Sequence, residues 1–287
     1  MTKKEVKNQI ENLQTIQNIT DVYQQVAAMR MRKVKDGIIN NRSFYQKLLE
    51  IYLETQGCYQ KTARPDRKYV TEYSKNANGR SVAVLLSSNT GLYGSVIRDT
   101  FERFVGDASK SNDDLVVVGQ LGRNWFQVLT PKKPFKYFDL ADGTDNLDAQ
   151  IKQIFKFISK YSNVTIYHGL FKSIVEQPVK VTKITQQIEQ ENTGTQTLSF
   201  LFEPSIERVL QTFEEQLLYS FFDQSVYESA LSKYGSRMLS LDSATQNVSK
   251  VLAQTKLMST KMRHRLQNRK QLETVCNVTM LSRYQGL

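Results

Sequence analysis

Ser81-Val-Ala-Val-Leu-Leu-Ser-Ser-Asn-Thr-Gly-Leu-Tyr-Gly94 decides the fold. Its first seven residues are a short aliphatic, partly β-branched run of the kind that forms a fully buried strand. Asn89–Gly94 then supplies turn residues, and Val96–Val105 resumes with helical spacing. The same alternation continues downstream. Leu115–Val118 reads as a second strand, ended by Gly119 and Gly122, and Leu147–Tyr161 as a helix. Val164–His168 reads as a third strand, with Val179–Ile184 and Leu198–Phe202 as further extended candidates. Strands alternating with helices predict an α/β domain whose sheet is parallel in part. Asn192–Gln196 is a polar loop, and Lys61–Gly79 a linker into the domain.

The flanks are of another kind. The five prolines, Pro65, Pro131, Pro134, Pro178 and Pro204, leave both ends of the chain untouched, and nine of the 13 glycines lie between Gly79 and Gly194. At the start, Val6, Ile10, Leu13, Ile16, Ile19, Val22, Val26 and Met29 recur every three or four residues. After Pro204 a stripe runs from Ile206, Val209, Leu210, Phe213 and Leu217 to Val248, Val251 and Leu252. Both are amphipathic helix patterns. A helix of some 75 residues would extend on the order of 110 Å, too long to bury its stripe against a small core. It needs a partner helix. The expected organisation is a coiled-coil helix over 1–60, a Rossmann-like α/β domain over 61–204, and a second coiled-coil helix over 205–287, the two helices antiparallel.

The net charge of +11 over 287 residues is concentrated at the ends. Residues 1–47 hold nine Lys/Arg against four Asp/Glu, and residues 256–287 hold seven against one, so residues 48–255 sum to zero. Such a distribution is an electrostatic footprint for an acidic partner; lysines and arginines solvating exposed helix faces give the same pattern. No apolar run approaches the roughly 18 residues of a membrane span. Met1–Asn8 lacks the apolar stretch of a signal peptide, which points to a soluble intracellular protein.

Chemistry is harder to find. Cys58 and Cys276 are too few for a disulfide framework, and His168 and His264 too few for a histidine metal centre. Neither the phosphate-loop pattern nor Gly-x-Gly-x-x-Gly occurs, and Gly91-Leu-Tyr-Gly94 is better explained by a tight turn. Asp113-Asp114 reads as a loop pair before a strand. No metal, cofactor or catalytic constellation is expected.

The segments resemble, in order and spacing, the gamma subunit of the F-type ATP synthase, its central rotor shaft. Ile10–Thr20 followed by Val26-Ala-Ala-Met-Arg-Met-Arg-Lys33 is similar to the family's opening signature. Ser87–Gly94 resembles its Ser-Asp-Arg-Gly-Leu-Cys-Gly segment, and Phe202-Glu-Pro204 its Tyr-Glu-Pro. Ser236-Arg-Met238, Ala244-Thr245 and Asn247 fit its Arg-Met…Ala-Thr-x-Asn pattern. There are departures. The family's Asn-Lys-x-Arg-Gln-x-x-Ile-Thr is Thr260-Lys-Met-Arg-His-Arg-Leu-Gln-Asn268 here, its Glu-Ile-Val-Ser-Gly is Glu273–Asn277, Tyr93 replaces cysteine, and Ser95 a glycine. Such drift is that of a divergent or paralogous F-type-like rotor, as found in wall-less bacteria.

The resemblance implies a non-catalytic shaft inside a hexameric ring of nucleotide-binding subunits, peripheral to the cytoplasmic side of the cell membrane. Arg263 and His264 would be the contact pair for the ring. Lys261, Arg265, Arg30, Arg32 and Lys33 would meet acidic levers, and Met29, Thr245 and Asn247 belong to the partner-facing motifs. The inserted domain would dock epsilon-like or ring subunits, or a specialised load. A basic helix pair that tracks nucleic-acid phosphates is the alternative. Against it, the aromatic residues lie in apolar stripes rather than among the charges.

Overall fold

The computed structural model describes residues 2–62, 78–129, 133–140, 147–184, 202–203 and 205–284. Helix α1, Lys3–Thr62, starts in a reciprocal capping box. Thr2 N donates to Glu5 Oε2 (2.8 Å), and Glu5 N donates to Thr2 Oγ1 (3.3 Å), so two of the helix's orphan donors are satisfied. Then follow β1 (Ser81–Leu86), α2 (Val96–Ala108), β2 (Asp114–Val118), α3 (Gln120–Leu129), β3 (Phe135–Phe138) and α4 (Leu147–Ile158). β4 (Asn163–Gly169), β5 (Val179–Lys183) and α5 (Ile206–Tyr284) complete the order. The chain divides into a larger compact unit, residues 27–239, and a smaller one formed by residues 1–26 with 240–287. Segments of α1 and α5 belong to each.

In the larger unit the strands form one sheet in the order β3-β2-β1-β4-β5. β1 pairs in parallel with β2 and β4, β2 in parallel with β3, and β5 antiparallel to β4. Val84 lies opposite Val116 on one side and Ile166 on the other. Parallel neighbours need crossovers, which α2, α3 and α4 supply. Both faces are covered, as a parallel sheet requires. Ala83, Leu85, Leu115 and Val117 face Phe101 and Phe104 of α2 and Phe126 of α3. On the opposite face, Val82, Val84, Val116 and Ile166 pack with Ile151, Ile154 and Ile158 of α4, and the same cluster takes in Tyr45 and Tyr52 of α1 and Leu217 and Phe222 of α5.

The long helices pair antiparallel within each unit. In the larger, Tyr45 stacks on Phe221 with ring centroids 4.4 Å apart, and Tyr52 donates to the buried Glu214 at 3.1 Å. In the smaller, Gln17 Nε2 donates to Ser249 Oγ (3.3 Å), and the Thr245 hydroxyl donates to Thr20 Oγ1 (3.0 Å). Advancing along one helix retreats along the other.

Two elements run against the sequence expectation. Gly119 does end β2; its φ is +99°, and a Cβ there would stand 2.7 Å from the Ser88 backbone nitrogen. Gly122 ends nothing. It lies inside α3, where a Cβ would come within 2.8 Å of Ser87 Cβ and 3.2 Å of a Leu85 methyl. It is a close-packing glycine rather than a breaker. β3 is the second, an edge strand of four residues with a weak pattern, half-buried apart from the exposed Lys136. All of the Leu198–Phe202 candidate but its last residue, and most of the Lys61–Gly79 linker, lie outside the described residues.

Candidate functional site

Residues 231–237 of α5 are buried without a break. Burial on every side of a helix needs small side chains, and Ser225, Ser229, Ser232, Gly235 and Ser236 supply them. A Cβ on Gly235 would stand 2.9 Å from the Phe171 ring, and one on Gly169, the last residue of β4, 2.8 Å from a Val96 methyl and against Ser232.

Into this tight passage the helix carries three charged side chains, Glu228, Lys233 and Arg237, each no more than 7% exposed. Burying them is costly unless their polar groups find partners, and among them Arg237 Nε alone is buried without a hydrogen bond. Lys233 Nζ donates to the Ser87 carbonyl (2.9 Å), just past the end of β1. Arg237 Nη2 donates to the Gly91 carbonyl (2.5 Å) and to Thr90 Oγ1 (3.0 Å). Its guanidinium sits 3.9 Å from the Tyr93 ring centroid, a cation–π contact. Glu228 accepts from Gln224 Nε2 (2.9 Å) and pairs with Lys180 Nζ of β5 (3.7 Å). The loop that receives Arg237 is held in unusual conformations, with Leu92 at φ 68° and Gly94 at φ 59°.

Ser87 and Gly169 lie at the carboxyl ends of β1 and β4, where the strand order reverses. In open α/β sheets that crevice takes the ligand. Here α5 packs against those strand ends, Ser232 against Gly169 and Lys233 on the Ser87 carbonyl. The sequence segments Ser87–Gly94 and Ser236–Met238, far apart along the chain, meet at this junction.

His168 lies beside it, fully buried. Its Nδ1 faces the Gly169 carbonyl (3.2 Å), so that nitrogen carries the proton, and Nε2 accepts from the Thr182 hydroxyl (3.0 Å). Burial holds the imidazole neutral and pulls its pKa down to about 4. It is a satisfied core histidine. Among the described residues no cluster of three or more His, Cys, Asp or Glu could hold a metal ion, and no helix is long and apolar enough to cross a membrane.

The anticipated partner residues fall into two groups. In the smaller unit Lys261, Arg263, His264, Arg265 and Asn247 are exposed, while Thr245 is half-buried and bonds to Thr20. From Arg263 to Asn277 every residue of α5 is exposed, including Leu266, Leu272 and Val275. Among the described residues no ion pair holds Lys261, Arg263 or Arg265. In the same unit Ile16, Ile19 and Val22 of the α1 stripe are 46–58% exposed. In the larger unit Met29, Arg32 and Lys33 are exposed and Arg30 is half-buried.

Glu228 and Lys233 were not singled out from the sequence, and Tyr93 only as a replacement for the family's cysteine, although a signal was present. Charged residues at buried turns of a helix, each flanked by serines or glycine, mark a helix enclosed on all sides.

Comparison with known proteins agrees with this architecture. The profile of the family described as ATP synthase matches residues 2–266. The ATP synthase gamma chain of Clostridium perfringens (strain SM101) is 26% identical over 260 residues, covering 86% of this chain and 87% of the relative. That of Ruthia magnifica is 24% identical over 279 residues, covering 91% and 92%. Among solved structures, the Euglena gracilis mitochondrial ATP synthase rotor superposes with a TM-score of 0.61 at 12% identity, covering 92% of this chain and 98% of that one. The Tetrahymena thermophila central stalk gives 0.53 at 21% identity, covering 79% and 99%. None of these relatives supports the nucleic-acid alternative.

Proposed function

The chain belongs to the ATP synthase family whose relatives are gamma chains, and from that premise we propose that it is the non-catalytic central shaft of a rotary F-type ATPase. It couples nucleotide turnover in a surrounding ring of subunits to rotation. The observation that carries the reading is α5 from Arg263 to Asn277, a helix segment exposed all round, basic, and dotted with apolar side chains. A bare helix of this kind is stable only when something encloses it.

On this reading Arg263 and His264 form the main contact with the ring. Lys261, Arg265, Arg30, Arg32 and Lys33 provide complementary charge, which sets register and encounter more than affinity. Met29, Thr245 and Asn247 line the same partner-facing segments. An asymmetric shaft meets each catalytic subunit with a different face and so biases each toward a different nucleotide state, a coupling free energy between sites. Residues 61–204 act as the foot that passes torque onward, the complex lying peripheral to the cytoplasmic face of the membrane.

The test is recovery of the chain from its own cells with native mass determination. One copy of this chain with a ring of two related nucleotide-binding subunits is the expected result. Recovery of nucleic acid, or of a lone stable monomer, overturns the reading. In the recovered complex, Arg263→Ala with His264→Ala should weaken assembly or ATPase coupling about 5- to 30-fold, the effect of losing 1–2 kcal/mol of central contact. Lys152→Ala with Lys156→Ala should change little.

A further inference from the structure

Within the larger unit a cleft of about 760 Å³ opens between α1, α4 and α5. Its volume falls in the range of small-molecule sites, roughly 300–1,000 Å³. Four aromatic side chains line it, Phe44, Phe155, Tyr219 and Tyr227.

Among them stands Asp223, half-buried. Its donor among the described residues is the Asn41 amide, whose own Oδ1 is buried without a hydrogen-bond partner. Burial, with the charge of Asp148 on α4 added, raises the Asp223 carboxyl to about 6. Burial and then the same two carboxylates push the Tyr219 and Tyr227 hydroxyls up to about 12. The lining itself carries two carboxylates, Asp223 and Glu215, and one cationic side chain, the exposed Lys152. The lining residues of α1 carry no charge. The site is therefore acidic in a chain whose net charge is +11.

A half-buried carboxylate that ion-pairs with no cation among the described residues is costly, and asparagine would fill the same space more cheaply. Aromatic faces carry negative potential and attract cations. Carboxylate, rings and volume together select one ligand chemistry. We propose that this cleft binds a small organic cation, an alkylammonium or guanidinium compound seated between the rings and ion-paired to Asp223. A single lysine or arginine side chain would leave most of the volume empty, which favours a free molecule with a carbon body. The inference does not depend on the rotor reading.

The test is calorimetric titration of the full chain with spermidine and with agmatine, at fixed ionic strength. General adhesion of cations to so basic a chain is disfavoured by repulsion, so saturable one-site binding reports the cleft. Asp223→Asn should weaken binding about tenfold or more. Acidification from pH 7.5 to 5 should weaken it about tenfold as Asp223 takes up its proton. Tyr227→Phe should keep binding and Tyr227→Leu lose it, with circular dichroism confirming that both fold. Lys152→Ala should leave binding intact or tighten it. Absence of saturable heat with both amines at pH 7.5, or equal affinity in Asp223→Asn, overturns the proposal. So does binding of a basic peptide without binding of either amine, which would make the cleft a protein-docking surface.

Discussion

His168 and Asp223 respond to pH in opposite senses. His168 has its folded pKa lowered from 6.5 to about 4, so the unfolded chain binds its proton first. The stability it supports is fully present above pH 6.5 and declines as the pH falls toward 4, by on the order of 3 kcal/mol. Asp223 is raised from 3.8 to about 6, so the folded chain binds its proton first. Its penalty is greatest above pH 6 and mostly disappears as the pH falls toward 4. Asp223→Asn is therefore expected to stabilise by about 3 kcal/mol at pH 7 and by only about 0.5 kcal/mol at pH 4, and to make the acid decline steeper. His168→Asn should flatten it. Urea unfolding of both variants at pH 7, 5.5 and 4 checks the signs. None of this was visible in the sequence, where His168 reads only as the end of an apolar strand and Asp223 as one polar residue on a long helix. Burial is a tertiary property.

At the level of elements, glycine divides what was legible from what was not. β1, α2, β2, β4 and β5 follow from apolar run length and turn residues. α3 does not, because Gly122 looks identical in sequence whether it ends an element or lets one pack closely. Gly57 supplies the contrast. It lies within α1, where an added Cβ would meet nothing within 4 Å. Gly57→Ala should stabilise by about 0.5–1 kcal/mol through helix propensity and the unfolded chain's entropy. Gly122→Ala should destabilise by about 1–3 kcal/mol through overpacking against Ser87 and Leu85. Opposite shifts in the urea midpoint, with unchanged slope, are the expected outcome. The apolar stripe of α1 was equally legible, but periodicity says only that a face is apolar. Exposure of Ile16, Ile19 and Val22 shows that pairing with α5 does not use all of it.

For the whole molecule the division of charge matters most. The basic ends were readable from composition, and the structure adds that the segment from Arg263 to Asn277 is exposed throughout. Backbone amides there are expected to exchange with solvent at rates close to those of an isolated helix in the free chain, and at least about tenfold slower in the assembled complex. Hydrogen exchange of the two forms measures this directly, and equal rates would deny enclosure. The larger unit should change far less. Its helix-to-sheet junction also sets an order of mechanical failure. Lys233 and Arg237 are fastened to carbonyl and hydroxyl oxygens, which do not titrate, whereas β5, beyond its backbone ladder with β4, is tied through the imidazole of His168, which does. Overload in acid would therefore slacken the edge strand before α5 slips on the sheet, so a worn part loosens at its rim while its axle stays keyed.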